Sequence, residues 1–171
     1  MLFRSNSMRD RRFVAIQRGG TLTLEEHRTL MTWARACLEH ALPLCGDEIY
    51  TTVWEALNTA GNWQEGTAST GEAIKTARRI HSLARTINNP QQQAFLRAAG
   101  HTVATAHMSD HSLGSALYVQ KALKLAGMDY RKEREWQEER LQELPENLAT
   151  LVSGVCQVNC GNSLHYTYPS S

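Results

Sequence analysis

The chain has 171 residues, a formal net charge of +1, 42% hydrophobic residues and 20% charged residues. This length is sufficient for one domain that removes roughly 70% of its unfolded surface from water without metals or disulfides. No run approaches the roughly 18 apolar residues of a membrane-spanning helix, and the polar start MLFRSNSMRDRRF lacks the apolar stretch of a signal peptide. We therefore expect a cytoplasmic protein with no membrane partner.

Positive charge is concentrated at the start of the sequence. Residues 1–18 contain five arginines and one aspartate, a local charge of +4, so the remainder of the chain carries −3. We expect residues 1–18 to form a flexible basic leader, residues 19–155 to form a single domain, and the uncharged residues 156–171 to form a disordered tail. A slightly acidic domain lacks the basic surface of nucleic-acid-binding proteins, so we expect no nucleic-acid partner.

Three helices are predicted in the first half of the domain. A capping box begins at Thr23 and precedes an amphipathic pattern that ends at Pro43. Asp47 can cap a second helix, whose apolar pattern is lost at Gly61. A loop-like stretch follows, and a second capping box at Ser69 starts the third helix.

The second half is also helical in pattern. Residues 90–127 could form one helix, but it would span about 57 Å at 1.5 Å per residue, which is longer than a compact domain of this size is wide. We expect a break at Ser109 or Asp110, because both residue types favour helix caps. A charged helix should begin near Asp129 and end at Pro145, followed by one short helix. With no alternating strand pattern, the sequence predicts an all-α, single-domain helical bundle of about six or seven helices.

Three histidines, His101, His107 and His111, lie among small apolar residues. On an unbroken helix, His107 and His111 would share one face at the i, i+4 spacing by which two imidazoles can bind one metal ion. The glutamate of a His-Glu-x-x-His metallohydrolase is absent, and no other segment supplies an obvious third ligand. We expect a structural role, with hydrogen bonds to backbone carbonyls and to Asp110, and no bound metal. The alternative is a helical metal-binding enzyme or sensor that uses the three histidines.

Motifs for catalysis are otherwise missing from the sequence. No serine stands in Gly-x-Ser-x-Gly, and no glycine-rich loop precedes a helix as a phosphate-binding loop requires. We therefore expect no catalytic residues, no cofactor and no enzymatic activity.

Two separated blocks of sequence resemble a known protein family. They are RGGTLTLEEHRTLMTWARACLEHALPL, residues 18–44, and AAGHTVATAHMSDHSLGSALYVQKA, residues 98–122. Over roughly residues 13–150 the chain is similar to the immunity proteins of bacterial polymorphic-toxin systems, in the immunity-protein-five-like group. The resemblance implies an all-helical cytosolic protein that binds a cognate toxin and neutralises it by protein–protein interaction. It does not indicate which residues contact the toxin.

A protein that blocks a toxin by binding needs a shaped and charged surface. The helix over residues 131–143 displays both signs of charge beside Trp136, and tryptophan often anchors interfaces. The candidate binding residues combine the histidine segment with this helix: His101, His107, Asp110, His111, Arg131, Arg134, Trp136 and Glu138. The predicted loop over residues 61–71 is the next candidate.

Overall fold

The structure is a computed structural model that describes the backbone of residues 10–160 and the side chains of residues 10–155. Within these residues there are seven α-helices and no strand: Leu24–Ala41 (α1), Asp47–Glu65 (α2), Thr70–Thr86 (α3), Pro90–Ala104 (α4), His111–Leu125 (α5), Tyr130–Gln142 (α6) and Glu146–Cys160 (α7). The predicted all-α bundle is confirmed. None of the helices in the described part is long and apolar enough to cross a membrane.

Two helices start at the capping boxes that the sequence predicts. Thr23 accepts a hydrogen bond from the backbone N–H of Glu26, whose carboxylate accepts one from the backbone N–H of Thr23. Ser69 and Glu72 form the same reciprocal pair at the start of α3. At α4, the Asn89 side chain accepts from two backbone N–H groups. Each cap satisfies donors that have no partner within the helix and stabilises the fold by about 1 kcal/mol.

Helix α2 differs from its prediction at both ends. Asp47 is its first residue rather than its cap, because the preceding Gly46 adopts a φ of +89°. The helix also continues past Gly61 and ends at the left-handed Gly66. A Cβ on Gly61 would lie 3.2 Å from Cζ of Arg35 on α1, so this glycine permits a close helix contact and does not end the helix.

Helices α4 and α5 form a hairpin at the centre of the bundle. Helices α1, α2 and α3 pack against α4, and α1 and α6 pack against α5. The two helices are separated by a turn over residues 105–110, so the predicted break near Ser109 or Asp110 is confirmed. Residues 98–104 of α4 are all buried, and most of them are small. This composition allows the surrounding helices to approach the hairpin closely.

The segment before α1 packs against the bundle, although residues 1–18 were expected to be a flexible leader. Phe13 is only 3% exposed and belongs to a cluster with Leu22, Trp33 and Leu148. The backbone of Ala15 forms an isolated parallel bridge with Leu22. One large apolar side chain and this bridge give residues 10–18 contacts with the domain. Residues 1–9 and 161–171 lie outside the described part. Residues 156–160, the start of the expected tail, belong to α7.

We predict that Phe13→Ala destabilises the protein by about 3 kcal/mol, because it removes a buried aromatic ring from a packed cluster. Thermal unfolding should show a melting temperature roughly 6–12 °C lower. The matched control is Ile16→Ala in the same segment, where the side chain is 57% exposed, and the change should stay within about 0.5 kcal/mol. Equal effects of the two substitutions would contradict the docking of this segment.

Candidate functional site

The histidine site brings together side chains from three helices. His101 on α4 and His111 on α5 approach each other until their Nδ1 atoms are 2.9 Å apart. The His81 ring, on α3, lies 5.0 Å from the His101 ring, and Tyr118 on α5 stacks on His101 with a centroid distance of 5.2 Å. One Nδ1–H donates to the other Nδ1, and this contact joins the two arms of the central hairpin. The structural role of the histidines stays a prediction.

A glycine on α4 makes room for this arrangement. A Cβ on Gly100 would lie 2.6 Å from Cε1 of His81, so any larger residue would displace the ring. Arg97 lies one turn earlier on α4 and contacts His81 from the same helix, with its Nη1 3.2 Å from Nδ1 of His81. The sequence predicted a role for the α4 and α5 histidines but placed no function on His81. The close approach of His81 on α3 to Gly100 on α4 is not indicated by any local pattern in the sequence.

The environment of the site favours neutral imidazoles. Burial, together with the guanidinium groups of Arg97 and Arg85, lowers the pKa of His81 to about 4. Burial also holds the pKa of His101 well below its ordinary value of 6.5, with further lowering from His111, His81 and Arg97. The charged form is disfavoured in both cases because it would lose water and face other cationic groups.

The turn changes the predicted position of His107. His107 lies in the turn and His111 is the first residue of α5, so the break removes the shared helical face that an unbroken helix would give these two histidines. Their rings are nevertheless 5.2 Å apart, because the turn folds back on the start of α5. Asp110 is buried at the N-cap position of α5, but its side chain does not cap the helix. Among the described residues, no three His, Cys, Asp or Glu side chains converge as they would around a metal ion.

Buried hydroxyl groups tie the central hairpin to its neighbours. Ser115 on α5 lies 2.7 Å from the Thr102 hydroxyl on α4 and donates to the carbonyl of Ala34 on α1. In the turn, Ser109 donates to the carbonyl of Phe13 at 2.7 Å. All of these hydroxyl groups belong to buried residues, so each bond satisfies a group that water cannot reach. Serine and threonine within an apolar helical pattern are the sequence signal that indicates such buried hydroxyl groups.

The four candidate residues on α6 lie on the outer part of the bundle. Arg134 and Glu138 form an ion pair at 2.9 Å, and both are partly exposed. Trp136 stacks on His40 of α1, with ring centroids 3.8 Å apart and planes only 5° from parallel. The tryptophan is therefore fixed in place rather than fully solvated. Arg131 is exposed and lies over the ring of Tyr130.

The buried face of α6 is mostly polar. It consists of Glu133, Gln137 and Leu141, which recur at i, i+4 and i+8. Gln137 donates to the Ala116 carbonyl at 3.2 Å and accepts a hydrogen bond from Gln120. The Glu133 carboxylate lies 2.8 Å from Nδ1 of His40, and the Trp33 indole donates to the Gln137 carbonyl. This network was missed because Glu133 and Gln137 stand among alternating charges that are typical of a solvated helix.

The predicted loop over residues 61–71 is shorter than expected. Residues 61–65 belong to α2, and Trp63 is buried with its indole donating to the Thr70 hydroxyl.

Tyr50 and Trp54, one turn apart on α2, are 45% and 47% exposed.

The protein is in the class of small all-α domains, with a polar hairpin at its centre and partly exposed aromatic side chains on α2 and α6. Within that class, the model of the Imm-5 like putative immunity protein family matches residues 20–144, which include all of α1–α6. The chain belongs to this family. No curated protein and no solved structure matches the chain.

The neutral histidines predict that the protein loses stability in mild acid. The unfolded chain protonates these histidines near pH 6.5, whereas the folded protein resists protonation of His81 down to about pH 4. The free energy of unfolding should be highest above pH 6.5. It should fall as the pH decreases from there to about 4, by at most about 1.4 kcal/mol per pH unit for each histidine. His81→Gln should make the slope shallower, and Arg78→Gln on the exposed side of α3 should not. An unfolding free energy that stays constant between about pH 7 and 4.5 would contradict the neutral site.

Proposed function

We propose that this protein is an immunity protein that binds a cognate bacterial toxin in the cytoplasm and neutralises it by protein–protein interaction. The observation that carries the proposal is the family match over residues 20–144. Binding alone is sufficient for this role, so the proposal requires no catalytic residues and no cofactor. Its physical requirement is a preformed surface that recognises the toxin before the toxin acts.

Helix α6 is the first candidate for that surface. Its inner face is fixed to α1 and α5 by hydrogen bonds of Gln137 and by the contact between Glu133 and His40. Its outer side carries both signs of charge, with Arg131 and Glu138 exposed. A rigid helix loses little conformational entropy on binding, and exposed charges accelerate the approach of a complementary partner.

Trp136 adds an aromatic group to this surface. The indole stacks on the imidazole of His40 and also contacts the guanidinium of Arg140, whose Cζ atom is 5.8 Å from the ring centroid. These contacts fix its orientation while part of the ring remains accessible. Tryptophan and arginine are enriched among the residues that contribute most to protein interfaces. The pair formed by Tyr50 and Trp54 on α2 offers the same chemistry and is the second candidate surface.

The proposal is tested by producing a toxin domain encoded beside this chain, with and without the chain. We expect cells to survive only when both proteins are made, and we expect the two to purify as a complex. Reversing the charges of Arg131, Arg134 and Glu138 together with Trp136→Ala should weaken binding by about a hundredfold or more. The matched control reverses Lys75 and Arg78, which are exposed on α3, and should retain affinity.

Equal cell death with and without the chain, and no complex, would contradict the proposed function. If the α6 variant still protects cells from the toxin, the proposed function stands, but α6 is not the main contact surface. Tyr50→Ala with Trp54→Ala would then be the next variant. Melting temperatures of all variants should be measured, because Trp136→Ala also removes the stacking with His40.

A further inference from the structure

A cavity of about 440 Å³ lies between the segment before α1, the first turns of α1 and the connection from α2 to α3. Its wall includes two arginines and two histidines, Arg18, Arg28, His27 and His107, and it includes no aspartate or glutamate among the described residues. This volume is within the range of small-molecule sites. The local charge of the wall is positive, so the cavity attracts anions.

Arg28 is the group in this wall whose hydrogen-bonding capacity is least used. Its buried Nε atom has no hydrogen-bond partner in the described part of the chain. No ion pair or side-chain hydrogen bond of Arg28 is formed there either, although Gln64 donates to its backbone carbonyl. The guanidinium extends towards the turn after α2, where Nη2 would lie 3.7 Å from a Cβ on Gly66. A half-buried guanidinium with several unused N–H donors is suited to a ligand oxygen.

Arg18 also lines the cavity. Its Nη1 donates to the carbonyl of His107 at 3.3 Å and lies 3.6 Å from Sδ of Met108. These contacts connect the segment before α1 to the turn between α4 and α5, and they use only one of the guanidinium nitrogens. Arg18 therefore remains oriented at the cavity and keeps N–H groups for a second acceptor.

The rest of the wall is suited to a small polar ligand. Trp63 forms an aromatic wall, and its indole donates to the Thr70 hydroxyl at 3.0 Å. The Thr70 oxygen accepts that bond, so its own hydrogen is available to another acceptor. His27 donates through Nε2 to the carbonyl of Thr105, because a carbonyl can only accept. The wall thus combines guanidinium and hydroxyl donors with an apolar surface.

We propose that this cavity binds a small oxyanion, a phosphate or a carboxylate, between the guanidinium groups of Arg18 and Arg28. Planar guanidinium groups pair with both anions through two parallel N–H···O bonds. The site is distinct from α6, the first candidate surface for the toxin. Binding of a small anion there is a separate property that does not depend on toxin binding.

The test is an NMR titration of the ¹⁵N-labelled full chain with sodium phosphate and, separately, with sodium glutarate, at ionic strength held constant with chloride. We expect saturable shifts of the Trp63 indole N–H with at least one anion below about 20 mM. Arg28→Gln and Arg18→Gln should each weaken binding by about tenfold or more. Arg85→Gln is the matched control, because this exposed arginine on α3 hydrogen-bonds Ser82 away from the cavity.

Saturation by phosphate alone would assign the site to phosphate-bearing ligands, and saturation by glutarate alone would assign it to carboxylates. Two results would overturn the proposal. The first is the absence of a saturable shift with either anion up to about 20 mM. The second is equal binding by the wild type and by both the Arg28 and Arg18 variants when their melting temperatures show that they are folded.

Discussion

Burial of the α4–α5 hairpin governs how the other helices pack around it and which polar groups it can contain. Four other helices pack against the two arms, so polar groups inside the hairpin have little access to water. The hydroxyls of Thr102 and Ser115 meet this requirement by bonding to each other and to α1. His101 and His111 meet it through the contact between their Nδ1 atoms. A hairpin held by directional bonds fixes how its helices cross, whereas apolar packing alone allows more alternatives.

The buried polar side chains of the outer helix α6 also need hydrogen-bond partners. Its buried glutamate and glutamine would destabilise the protein without partners, and they find these partners on α1 and α5. The helix that carries candidate contacts with a toxin is therefore fixed in position by polar bonds rather than by a large apolar face. This arrangement connects the core to the proposed function, because a fixed outer helix presents its exposed charges in one geometry.

Local signals in the sequence predicted much of the fold, and contacts between distant segments account for what they missed. The capping boxes at Thr23 and Ser69 were recognised because their chemistry lies within four residues. The burial of Glu133 was not, because it depends on His40, which is 93 residues away. The docking of Phe13 depends in the same way on residues of α1 and α7. The candidate binding residues stay predictions, because a binding surface is defined by its partner as well as by this chain.

We propose that the bundle, made rigid by its buried hairpin, presents a fixed outer surface to a toxin. Hydrogen exchange of the purified protein, alone and mixed with the toxin domain, tests both the rigidity of the hairpin and the contact of the outer surface with the toxin. We expect the amides of α4 and α5 to exchange slowest in the free protein, and we expect the toxin to add protection mainly on α6. Fast exchange in the hairpin would contradict the rigid core, and unchanged exchange on every helix after mixing would contradict toxin binding.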